Sequence, residues 1–205
     1  MRSWMYVATA LAMLLPATVV AQPSICDNLA GNLLIDCGLE TGDFTGWSGS
    51  AVLDPFNSVV SGSFNGFSAN SGAYFAVLGP TVEEQLAQTV NTVAGGLYTI
   101  SWYLGSDGVA PNDFSVSWDG VQIFSQTGLP STNSAYTFYS FTNPASGGST
   151  DLTFSFQDDN GFLYLDDAAV VAASPIPEPG YAAMLAIAGV ALLLRYAFIQ
   201  RLARG

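Results

Sequence analysis

Histidine is absent from this 205-residue chain. That removes Ser-His-Asp and Cys-His catalysis, the commonest general base and every His-containing zinc site. Basic residues are nearly as scarce. There are 4, all at the ends: Arg2, Arg195, Arg201 and Arg204. Between Gln22 and Ser174 there is no Lys or Arg, yet that stretch holds all 16 acidic residues except Glu178. A polyanion without a basic patch has no electrostatic footprint for nucleic acid, so nucleic acid is excluded as a partner. The acidity has two readings. One is solubility through charge repulsion. The other is that carboxylates without internal cations draw them from outside, with Ca²⁺ the natural oxygen-seeking partner. Convincing helical periodicity is also missing from residues 22–174.

Half the residues are hydrophobic, but this overstates the core, because both ends read as apolar targeting segments. Residues 1–21 read as a signal peptide. Arg2 supplies the positive region, residues 7–20 the apolar stretch, and Val19-Val20-Ala21 the compact residues a signal peptidase inspects. Pro16 interrupts a run already short for a membrane helix. Near the other end, residues 181–199 are apolar apart from Arg195, long enough at ~1.5 Å per residue to cross a bilayer as one helix. Arg195, Arg201 and Arg204 follow the apolar core, which by the positive-inside rule puts the C-terminus in the cytoplasm and the preceding domain outside.

Residues 175–205 carry a more specific pattern. Pro177-Glu178-Pro179-Gly180, an apolar helix and a short Arg-bearing tail follow in order. Together they resemble the PEP-CTERM sorting signal of Gram-negative bacteria. The resemblance implies an exosortase as partner, cleavage near Pro177, Glu178 and Pro179, and delivery from the inner membrane to the cell surface or its exopolysaccharide. Two prolines fix φ and hold the segment extended, as a peptide entering a protease-like groove requires. The alternative is a rigid linker before an ordinary anchor.

Residues 22–174 read as one extracytoplasmic domain built from strands and turns. Tyr98, Ile100, Trp102 and Leu104 alternate with Thr99 and Ser101; Phe114, Val116 and Trp118 alternate with Ser115 and Ser117. Asp119-Gly120 then turns the chain into residues 121–124, a strong hairpin signal. Leu152, Phe154 and Phe156 alternate with Thr153 and Ser155. Further strand candidates are 51–60, 73–78, 86–93, 136–141 and 162–171. Roughly eight short strands with one apolar face predict an all-β fold, an antiparallel two-sheet jelly-roll sandwich. Cys26 and Cys37, the only cysteines, head for an oxidising compartment and are expected to form a disulfide pinning the N-terminal arm.

Several stretches resemble galactose-binding-like jelly-roll modules of carbohydrate-binding domains. Residues 32–47 (NLLIDCGLETGDFTGW) resemble their opening pattern, with Leu39 where the family has Phe. Gln88-Thr89-Val90 with residues 95–100 resembles a central strand pair, and residues 162–167 (FLYLDD) resemble the closing strand. The resemblance implies a structural Ca²⁺ shared by Glu40 and Asp166, with Asp167 as substitute. Asp166 alternates with Tyr164 and Ala168, which points it inward. The alternative is that the acidic pair caps a strand in solvent. Aromatic faces suit the apolar C–H patches of sugars. Trp102 and Trp118 read as core, leaving Trp47 as the tryptophan to consider at a ligand surface.

Three function classes follow. The first is a non-catalytic surface or matrix protein that binds polysaccharide. The second is a carboxylate glycosidase drawing a pair from Asp107, Asp113, Asp158 and Asp159, which requires two carboxyls across a cleft. The third is a purely structural or adhesive protein. The absence of histidine and of a recognisable catalytic constellation favours a non-enzyme.

Overall fold

A computed structural model describes residues 23–173. The expected signal peptide, the membrane helix and the Pro177-Glu178-Pro179 motif lie outside these residues. The described chain is an antiparallel two-sheet sandwich, as expected. Its strands are β1 (Asn57–Ser61), β2 (Ser63–Phe64), β3 (Phe67–Ser68), β4 (Tyr74–Leu78), β5 (Glu84–Asn91) and β6 (Leu97–Ser106), followed by β7 (Asn112–Trp118), β8 (Val121–Thr127), β9 (Thr137–Pro144), β10 (Ser149–Asp158) and β11 (Leu163–Ala172). One sheet has the order β1-β4-β11-β6-β9, the other β5-β10-β7-β8, and β2 pairs with β3 in a small hairpin.

The alternations read from the sequence set the layers. Tyr98, Ile100, Trp102 and Leu104 of β6 face Phe114, Val116 and Trp118 of β7 and Leu152, Phe154 and Phe156 of β10 across one core. Trp102 lies at its centre, fully buried, with five aromatic rings within 6.5 Å of its own. Asp119 and Gly120 both take positive φ (56° and 73°), the twist a two-residue hairpin needs between β7 and β8.

Two expectations change. The predicted strand over 51–60 begins only at Asn57; before it, residues 50–52 form one 3₁₀ turn. Asp54 is the cause. Its side chain accepts the Phe56 N–H at 2.7 Å, and this local turn competes with strand pairing. The second change is the β2–β3 hairpin, turned by Asn65-Gly66, both at positive φ. It covers part of the outer face of the five-stranded sheet, burying Phe67 against Phe75, Val77 and Tyr164. Phe67 stacks on Tyr164 at 3.7 Å between centroids.

Candidate functional site

The outer face of the five-stranded sheet carries the site, and β11 explains why. A β-bulge between Asp166 and Ala169 breaks its alternation, re-aiming side chains as bulges do. Asp167 takes positive φ (50°) within it. Asp166 pairs with Tyr103 of β6 and shares the outer face with Tyr164, whereas Ala168 joins the core between the sheets. The expectation that Asp166 shares an inward face with Ala168 is therefore corrected. Asp166 is buried all the same, beneath the loop of residues 70–74, and is 1% exposed.

Three carboxylates hold that loop. Asp166 Oδ2 accepts the N–H groups of Asn70 (2.7 Å) and Ser71 (3.3 Å), and its Oδ1 accepts the Asp167 N–H at 2.7 Å. Asp167 accepts from Asn70 Nδ2 and Ser71 Oγ, each at 2.8 Å. Glu40 accepts the Ala73 N–H on both oxygens at 3.0 Å and the Tyr74 N–H at 3.2 Å. Gly72 makes this approach possible, because a Cβ there would overlap Glu40 Oε1 and its φ is +68°. The structure thus brings Glu40, Asp166 and Asp167 to one loop from opposite ends of the domain. Burial, then the Asp167 charge, pushes the Asp166 carboxyl up to about 8, partly offset by the N–H groups it accepts.

Ser71 extends the arrangement. Its hydroxyl donates to Asp167 and accepts the Ile25 N–H at 2.7 Å, tying the N-terminal arm to the sheet. The Cys26–Cys37 disulfide, with Cα atoms 6.0 Å apart, fastens the same arm, as expected. Asp27 lies close to both sulfurs, but the disulfide removes them as metal ligands.

Between arm and sheet runs a groove of about 150 Å³, lined by Ile25, Leu29, Ser101, Tyr103, Phe138 and Asp167 among others. Tyr103 and Phe138 are register partners on β6 and β9, with ring centroids 4.9 Å apart. Phe138 is 54% exposed and Ile25 48%. A larger groove of about 260 Å³ beside β8 and β9 presents Trp118, but that side chain is 1% exposed and offers no free ring face.

Trp47 is not a ligand surface. It packs against Phe154 at 5.9 Å, donates its Nε1–H to the Asp36 carbonyl and is 7% exposed. Asp107 and Asp158 do share one end of the sandwich. However, Asp158 is 1% exposed, too buried to touch a glycosidic bond, and burial followed by the Asp107 charge pushes it up to about 7.

No family model matches the chain, and no curated protein matches it. Among solved structures, it is similar to the carbohydrate-binding module TmCBM61 in complex with β-1,4-galactotriose, with 20% identity, a TM-score of 0.56, and 70% of this chain covering 100% of that one. The two share an antiparallel jelly-roll sandwich fold. The CBM22-1 xylan-binding domain of Xyn10C from Paenibacillus barcinonensis has 16% identity and a TM-score of 0.48, covering 71% of this chain and 97% of that one. A family 16 carbohydrate-binding module has 20% identity and a TM-score of 0.48, with 68% of this chain and 99% of that one covered.

Tyr103, Phe138 and Ser71 were missed by sequence reasoning. Tyr103 had a signal: it continues the outward register of Thr99 and Ser101 with an aromatic ring. Phe138 and Ser71 become significant only once β9 pairs with β6 and the loop folds onto β11.

Proposed function

We propose that the chain is an exported, surface- or exopolysaccharide-associated protein whose domain is a non-catalytic carbohydrate-binding module. The groove between the N-terminal arm and β9 is its glycan face. The observation that carries this reading is the Tyr103–Phe138 ring pair on the outer face of a sheet, with Phe138 exposed and Tyr103 half-buried. Its apolar faces suit the C–H patches of a sugar, while Ser101 provides a polar group to orient hydroxyls. The fold is shared with a module seen holding β-1,4-galactotriose, which makes β-1,4-galactan a first ligand to test alongside the host's own exopolysaccharide. The burial of Asp158 weighs against the glycosidase alternative. The test is a glycan array and affinity electrophoresis on the secreted protein. Retention by at least one polysaccharide that falls in Tyr103→Ala and Phe138→Ala supports the reading; no retention on any polysaccharide overturns it.

We further propose that Glu40, Asp166 and Asp167 share a structural Ca²⁺. They are oxygen donors of the hard type, two are buried neighbours, and residues 23–173 contain no Lys, Arg or His to neutralise them. A bound ion would supply that charge and brace the loop at residues 70–74.

Export, anchoring and exosortase sorting rest on the sequence of residues 1–21 and 175–205. Mass spectrometry of the mature protein tests them. Loss of both segments in an exosortase-competent host is the expected result, and an intact C-terminus refutes processing.

A further inference from the structure

A second oxygen-rich cluster lies where the β4–β5, β6–β7 and β10–β11 connections meet. Backbone hydrogen bonds knit these loops together: Asp158 N–H to the Pro80 carbonyl (3.0 Å), Asp159 N–H to Pro111 (3.3 Å) and Asp107 N–H to Phe162 (3.3 Å). Within this frame Asp158 Oδ1 accepts the Gly161 N–H at 2.8 Å, whereas Oδ2 is buried without any partner. The Tyr164 hydroxyl is likewise buried and unpartnered; the Asn65 amide approaches it from the β2–β3 turn without forming a hydrogen bond of good geometry. After burial, the Asp107 charge does most to raise both Asp158 and Tyr164. Its oxygens accept the Val109 N–H at 2.9 Å and the Phe162 N–H at 2.8 Å. It fits there only because residue 161 is glycine, where a Cβ would lie 2.6 Å from Asp107 Oδ1.

Two orphaned polar atoms and two close carboxylates in one place are costly, since buried polar groups are nearly always partnered. We propose that Asp107 and Asp158 form a divalent-cation site of the Ca²⁺ type, separate from Glu40, Asp166 and Asp167. Asp158 Oδ2 and Asp107 contribute the carboxylate ligands. The Tyr164 hydroxyl hydrogen-bonds to water in the ion's shell. Ca²⁺ accepts such mixed sets of carboxylate and water oxygens. Asp107 is half-buried and marks the route of entry.

The test counts Ca²⁺ by isothermal titration of the chelator-treated secreted protein, with thermal melts in parallel. The expected result is one fewer ion bound by Asp158→Asn and by Asp107→Asn than by wild type, with a smaller Ca²⁺-induced rise in melting temperature. Circular dichroism checks that each variant is folded; half-buried Asp107→Asn serves if Asp158→Asn is not. Glu40→Gln keeps the Asp107–Asp158 ion, so failure of the other site is distinguishable. Equal stoichiometry in wild type and Asp107→Asn, no Ca²⁺ bound at all, or loss of binding only in Glu40→Gln overturns the proposal and leaves ordered water as the occupant.

Discussion

Tyr103 and Phe138 face one another as cross-strand partners on β6 and β9, their rings 4.9 Å apart and inclined at 45°. A pair in this position needs no core partner and leaves ring surface for a ligand. Truncating an aromatic anchor at a recognition surface removes about 1–2 kcal/mol, roughly 5- to 30-fold in affinity. Phe138→Ala is therefore expected to weaken glycan retention by that factor. It should barely move the melting temperature, because the ring is 54% exposed. Affinity electrophoresis and a thermal melt on the same sample check both halves.

The arm that walls the groove is held by the Cys26–Cys37 disulfide and by Ser71. The disulfide spans 11 residues of sequence, and closing a loop of that size stabilises a fold by about 3 kcal/mol in the chain-entropy account. Cys26→Ser with Cys37→Ser should lower stability by about that amount in denaturant titration. Glycan affinity should fall as well, because Ile25 and Leu29 lose their anchor. Ser71→Ala should weaken binding with a smaller loss of stability.

Much of this architecture was legible because period-2 patterning is local. Tyr98, Ile100, Trp102 and Leu104 disclosed the buried face of β6 without reference to any other strand, and Asp119-Gly120 disclosed its turn. The β2–β3 hairpin carried an equally plain Asn65-Gly66 signal, but its strands have two residues each, too short to show alternation. The fate of Asp166 was not legible. A bulge adds a residue to one strand, and nothing in Leu165-Asp166-Asp167-Ala168 says where the register will slip. Trp47 was misplaced for a similar reason, since a Gly-rich turn conceals whether the ring leaves it toward solvent or toward Phe154.

Gly72 offers a sharp steric test. Its φ of +68° and the closeness of Glu40 leave no room for a side chain. An L-residue there carries about 1–3 kcal/mol of backbone strain, and the Glu40 carboxylate must also give up the Ala73 and Tyr74 N–H groups. Gly72→Ala is expected to destabilise the domain by at least that amount in urea titration. Gly62→Ala is the control: it has a similar φ of +79° but meets nothing within 4 Å, so it should cost only the backbone term.

Asp166 and Asp158 make stability depend on pH. Their folded-state values are raised to about 8 and about 7, whereas an unfolded Asp titrates near ~3.9. Between those limits the folded state binds more protons than the unfolded state, so stability falls as pH rises. The contribution is fully present below about pH 4 and is lost as pH climbs through 7 to 8. In chelator, the domain should therefore melt at a lower temperature at pH 8.5 than at pH 5.5, and Asp166→Asn should flatten the slope. Saturating Ca²⁺ should flatten it too, because the ion favours the ionised carboxylates that alkali exposes. A melting temperature that rises from pH 5.5 to 8.5 in chelator would show that these carboxyls are ionised throughout and stabilised by their N–H partners alone.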